Sequence, residues 1–241
     1  LMHDQYLGLE LSDQANALRR DRLGTLARST VDALENRQVS LSSLATAVAD
    51  AAAGRHILAW SPDPAQQRAW QQVGVAGQLS APDLMAAVIN RGGNKLDQYL
   101  SVSSRLSSAP DGPNTAFTLE VTLANRAPLS DPDYIIGPYP RSGYLPGEYV
   151  GLLAVNVPGE AFGDEVVGYK TLAAEGPEGP TWLMAAPFTL LSGASATLTV
   201  RFVMPGRHGS FTVLPSARAP EVPWSFGRTG FTDGSPRRLS W

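Results

Sequence analysis

The chain contains no cysteine, which excludes disulfides, thiolate metal sites and a cysteine nucleophile. Histidine is nearly as scarce. His3, His56 and His208 are the three present, no two of them at metal-ligand spacing, so neither a zinc site nor any other cofactor is expected. Lysine occurs only as Lys95 and Lys170. No run approaches the ~18 apolar residues that read as a membrane span, and no signal peptide is recognisable. The phosphate-cradling, dinucleotide, nucleophile-elbow and zinc-helix signatures are all missing. With 17% charged residues and a net charge of −3, a nucleic-acid partner held by phosphate attraction is not expected.

What is present suffices for a core: 43% of the 241 residues are hydrophobic. That length suggests one large domain or two small ones. Abundant Ala, Gly, Pro and Arg beside so little Lys suggests a high-GC genome. Exported proteins of such bacteria often lack cysteine, so its absence does not assign the cytosol. The opening Leu1-Met2-His3-Asp4 reads as the middle of a fold, and the expectation is a fragment incomplete at its N-terminus.

Residues 12–36 read as a helix capped by Ser12 or Asp13, with Leu23, Leu26, Thr30 and Leu34 at helical spacing. Residues 40–53 read as a second helix, capped by Ser40 and ended by Gly54 in the left-handed position. The apolar run His56 to Trp60 has strand character. Ser61-Pro62 then marks a helix start that runs to Gly74. Asp83 to Asn90 is a buried strand or a short helix, between which periodicity does not decide.

From Tyr99 the texture changes. Residues 100–109 read as a strand, Pro110-Asp111-Gly112-Pro113 as a turn, and Phe117, Leu119, Val121 and Leu123 alternate with polar residues as in a half-buried strand. Further strands are expected at 148–157, 166–172, 181–190, 196–204 and 211–214, Pro187 indicating an edge or a bulge. The expected fold is α+β: a helical and mixed α/β portion over 1–98, an antiparallel, immunoglobulin-like β-sandwich over 99–215, and a Pro/Gly/aromatic tail over 216–241. Trp224, Phe226, Phe231 and Trp241 suggest that the tail packs on something.

Few residues point to chemistry. His56 reads as a core or edge histidine, His208 as a turn residue and Asp131-Pro132-Asp133 as loop structure. Arg19, Arg20, Arg22 and Arg28 suit either an anion site, since guanidinium forks match phosphate oxygens, or a solvated helix face. The least ordinary segment is Asn90-Arg91-Gly92-Gly93-Asn94-Lys95-Leu96-Asp97. Its Asn90, Gly92, Gly93, Asn94, Lys95 and Asp97 form either a ligand-facing loop or a turn whose Asn and Asp side chains bond nearby backbone.

Gly54-Arg55-His56-Ile57-Leu58-Ala59-Trp60-Ser61-Pro62-Asp63-Pro64 resembles the GRH-hydrophobic-SxDP segment of the domain-of-unknown-function family four-zero-one-two. The resemblance continues through Gln67, Gly74-Val75-Ala76-Gly77, Asn90, Gly92 to Asp97 and Tyr99. It ends in Val121-Thr122-Leu123-Ala124-Asn125-Arg126-Ala127-Pro128, similar to the family's TLxNxAP strand end. It covers roughly residues 1–200; Asn90-Arg91 stands where the family usually has two asparagines. The resemblance implies an extracytoplasmic, membrane-anchored protein of the actinobacterial cell envelope, with its anchor upstream and a cell-surface glycan or an envelope protein as partner. It supplies no catalytic residue. A noncatalytic binder or organiser of a surface glycopolymer is therefore expected first. The alternatives are an enzyme acting on lipid-linked or wall glycans, such as a phosphotransferase, and a structural subunit of an envelope assembly that uses the aromatic tail as contact surface.

Overall fold

The computed structural model describes residues 13–36 and 40–241. Three helices come first, α1 (Asp13–Asn36), α2 (Leu41–Ala53) and α3 (Pro64–Gln72). Twelve strands follow among the described residues: β1 (Asp83–Asn90), β2 (Leu100–Asp111), β3 (Asn114–Asn125), β4 (Tyr149–Val157), β5 (Phe162–Val166), β6 (Ala174–Glu178), β7 (Thr181–Leu190), β8 (Ser195–Met204), β9 (Ser210–Val213), β10 (Pro223–Phe226), β11 (Thr229–Thr232) and β12 (Arg237–Ser240). A single helical turn, α4 (Asp133–Ile136), interrupts the β3–β4 connection. The molecule is thus mainly β, in two six-stranded sheets ordered β12-β9-β1-β4-β7-β6 and β11-β10-β2-β3-β8-β5.

Both sheets are mixed, which corrects the antiparallel expectation. β1 runs parallel to β9, and β10 parallel to β2. Parallel neighbours arise because the chain crosses between the sheets before returning, whereas hairpins give antiparallel pairs. Residues 83–90 form a strand. It lies between β4 and β9. The tail supplies β10, β11 and β12, so residues outside 99–215 belong to the same two sheets.

One apolar core joins the sheets. The alternation along β3 buries Phe117, Leu119, Val121 and Leu123, and β8 buries Leu198, Val200, Phe202 and Met204 beside them. The other sheet contributes Leu84, Tyr149, Leu153, Met184 and Phe211. Each such aliphatic or phenylalanine side chain, fully buried, stabilises the fold by about 1.5–3 kcal/mol. Phe117 is the junction: its ring stacks on Phe202 at 5.3 Å and meets Phe211 edge-on at 5.2 Å and Trp241 at 5.1 Å. Trp224 is buried and stacks on Phe231 at 6.1 Å. The tail aromatics therefore pack on the core, Trp224 buried and Phe226, Phe231 and Trp241 partly so.

Several local expectations shift. Gly54 has φ −76°, and the left-handed residue after α2 is Arg55, at φ 60°. The α3 start falls two residues later than Ser61-Pro62, because Ser61-Pro62-Asp63-Pro64 repeats the cap-then-proline pattern. Asp63 Oδ1 accepts from Ala65 N (2.7 Å) and Gln66 N (3.0 Å). The run 57–60 is not a strand. It keeps one backbone bond to Val75 and leaves Trp60 77% exposed. The strand expected over 166–172 ends at Val166, where Tyr169 N bonds Val166 O in a turn through Gly168, at φ 85°. Pro187 pairs with Leu152 of β4 and lies past the end of β6, so its missing N–H leaves no ladder bond open on that side. The Ser12 cap, and the Thr30 and Leu34 side chains, lie outside the described residues.

The bonds from Gln66 and Ala65 hold the Asp63 carboxyl below its ordinary range. A group with a depressed folded pKa stabilises above its unfolded pKa and loses that contribution as pH falls through the folded value. The Ala65 and Gln66 amide shifts are therefore expected to titrate together on acidification, at a pH below that of an ordinary aspartate. Asp63→Asn should keep the helix start and abolish the titration, as two-dimensional NMR would show.

Candidate functional site

The 90–97 loop leaves β1 at the rim of its sheet, beside the 128–147 connection. Its polar side chains mostly bond inward. Asn90 Nδ2 donates to Asn94 O (3.3 Å), Asn94 Oδ1 (3.2 Å) and Asp97 Oδ2 (3.0 Å), and Asn90 Oδ1 accepts from Gly92 N at 2.9 Å. Asn94 is buried and donates to Glu148 O at 3.1 Å. Asp97 accepts from the Tyr149 hydroxyl at 2.8 Å. Burial first, and the Asp97 carboxylate second, push that phenol far above its ordinary range, so it remains the donor.

Arg218, on the segment ahead of β10, closes the loop from below. Its side chain is 11% exposed and its guanidinium donates to Asp97 O (2.6 Å) and Leu100 O, with Nη1 3.7 Å from Asp97 Oδ1. A guanidinium has five donors and no acceptor, so it suits a pocket of carbonyls. Asn90, Asn94 and Asp97 are architecture: they set the path from β1 to β2.

Gly93 and Lys95 are the exposed loop residues that face the 128–147 connection. Gly93 has φ 73°, and a Cβ there would lie 2.5 Å from the ring of Tyr139. The Tyr139 ring therefore rests on bare backbone. Tyr139 N also bonds Gly92 O at 3.1 Å, while the residue stays 62% exposed. Lys95 Nζ lies 5.2 Å from the centroid of the Tyr134 ring, a cation–π distance, and Lys95 N bonds Ile135 O at 2.9 Å. Gly93, Lys95, Asp133, Tyr134, Tyr139 and Pro146 are among the residues lining an open groove of about 410 Å³.

The opposite wall is held firmly. Ile135 and Ile136 of α4 are buried. Asn125, 1% exposed, donates to Gly147 O (2.8 Å) and Leu190 O (2.9 Å) and accepts from Ala127 N (3.1 Å). The groove is thus built between fixed backbones.

The helical arginines do not join it. Arg20 and Arg22 lie exposed on α1; the Arg19 side chain is outside the described residues. Arg22 lines a surface furrow with Asp21, Thr25, Leu26 and Ser29, all of α1. A larger concavity of about 800 Å³ lies between α2, α3 and the edge of β1. Its lining is mainly apolar, and its buried carboxylate, Asp83, already accepts from Ser80 N (2.6 Å) and Oγ (2.8 Å). Polar groups do not converge there as a ligand site requires. Among the described residues no cluster of three His, Asp or Glu could hold a metal ion, and no helix is long and apolar enough to cross a membrane.

Tyr134, Tyr139 and Arg218 were not among the sequence-level candidates. The 128–147 connection is rich in Pro, Gly and Tyr, but no local pattern in it marks the contact between Tyr139 and Gly93, which are far apart in the chain.

No family model, curated protein or solved structure matches the chain.

Proposed function

We propose that the protein is a noncatalytic module of the cell envelope, related to the domain-of-unknown-function family four-zero-one-two, that binds a surface glycopolymer at the groove between the 90–97 loop and the 128–147 connection. The observation that carries this reading is the Tyr139 ring lying on Gly93 with Lys95 beside it: an exposed aromatic plane with polar neighbours, held on rigid backbone. Preorganisation of this kind lowers the entropy lost on binding. The extracytoplasmic location and the upstream anchor come from the sequence resemblance. The finer description as immunoglobulin-like also belongs to this proposal; its support is two sheets sharing one core, and its departure is the two parallel strand pairs.

Noncatalysis is supported by how the loop's side chains are used. Asn90, Asn94 and Asp97 bond within the fold, and the residues lining the groove include no histidine and no cluster of carboxylates. Immobilised protein is expected to retain purified envelope glycan from a high-GC actinobacterium, and Tyr139→Ala with Lys95→Ala to release it without changing the melting temperature by more than about 2 °C. Retention of no envelope glycan by the wild type sinks the reading.

A further inference from the structure

The groove has a chemistry specific enough to name the unit it takes. Tyr139 presents one free ring face, because the other covers the backbone of Gly93. An aromatic face is electron-rich and attracts a partner carrying weakly positive hydrogens. A pyranose ring offers such a partner: several C–H bonds projecting from one face, with hydroxyls around its edge. The charged residues lining the groove are Lys95 and Asp133, one of each sign. Lys95 supplies donors and the Asp133 side chain acceptors, which together suit hydroxyls, groups that both give and take hydrogen bonds. A ligand with a carboxylate or phosphate on every sugar would meet Asp133 as a like charge.

Resting on the glycan-binding reading above, we propose that the free face of Tyr139 is a stacking subsite for an uncharged hexopyranose unit, with Lys95 and Asp133 bonding its hydroxyls. Gly93 is then a positioning residue: it sets the plane of the ring without touching the sugar.

The test is calorimetric titration of the full chain with two soluble probes, a neutral β-linked gluco-oligosaccharide and an oligogalacturonate of equal length. The wild type should bind the neutral probe more tightly. Tyr139→Ala should weaken that binding about tenfold, the scale of one lost aromatic contact, and Tyr139→Phe should stay within about twofold, since the ring face is kept. Gly93→Ala should weaken it too, with the NMR signals of the Tyr139 ring displaced and the melting curve still cooperative. Equal binding of the neutral probe by wild type and Tyr139→Ala overturns the subsite while leaving glycan binding at another surface intact. Tighter binding of the uronate, lost in Lys95→Ala but kept in Tyr139→Ala, overturns the assignment of an uncharged sugar. If the wild type binds neither probe and also retains no envelope glycan, the glycan-binding reading itself fails.

Discussion

Phe117→Ala is expected to destabilise the protein by about 4 kcal/mol, the scale for deleting a buried phenylalanine whose surroundings do not collapse. Collapse is hindered here because the four aromatic neighbours come from separate segments, three of them strands. Phe202 comes from β8, Phe211 from β9, Phe226 from β10, and Trp241 follows β12. The three phenylalanines are fixed by their ladders and Trp241 by paired backbone bonds with Gly209, so none can move far into the space left behind. For a chain of this size that loss lowers Tm by about 10 °C. Phe117→Leu keeps most of the volume and should cost roughly a third as much. Thermal unfolding followed by near-ultraviolet circular dichroism checks both. A fall in Tm below about 3 °C for the alanine variant would mean that the two sheets do not share this core.

Arg218→Ala carries the second large effect, about 1–2 kcal/mol, because it removes the donor to the part-buried Leu100 carbonyl and the bond to the exposed Asp97 carbonyl. The guanidinium bonds Asp97 O and Leu100 O, and its ionic contact with Asp97 adds little, as that carboxylate side chain is 53% exposed. Arg218→Lys should recover only part of the loss, since one ammonium does not reproduce the planar fork. The damage should also be local. Amide exchange should quicken at 96–100 and in β10, which pairs with β2, before it quickens in β3 or β8. Uniform acceleration across both sheets would show that Arg218 does not anchor the tail to the loop.

The strands were the most legible part of the chain, for a physical reason. β3 and β8 alternate at period two because one face is buried and the other is not, and that pattern is written in Phe117 to Leu123 and in Leu198 to Phe202. Sheet membership was not legible. Which strands pair depends on where the chain crosses between layers, and nothing local in Asp83–Asn90 says that β4 and β9 will flank it. The run His56 to Trp60 misled because a short apolar segment reads as buried, yet Ile57, Leu58 and Trp60 lie exposed.

The candidate site divides in the same way. That Asn90, Asn94 and Asp97 would form side-chain-to-backbone and side-chain-to-side-chain bonds follows from their chemistry at short spacing. The partners Glu148, Tyr149 and Arg218 come from distant strands and segments. Gly92-Gly93 was visible as an unusual pair. Only the fold supplies the reason for the second glycine, a tyrosine ring lying where a side chain would be.

The location of the site is the central claim, and amide shift mapping of isotopically labelled protein with a bound neutral oligosaccharide tests it most directly. The expected result is a contiguous set of perturbed amides at Gly93, Lys95, Tyr134 and Tyr139, with α1 around Arg20 and Arg22 and the α2–α3 concavity unchanged. Perturbations centred on α1 or on the α2–α3 concavity, with Gly93 and Tyr139 silent, would contradict it.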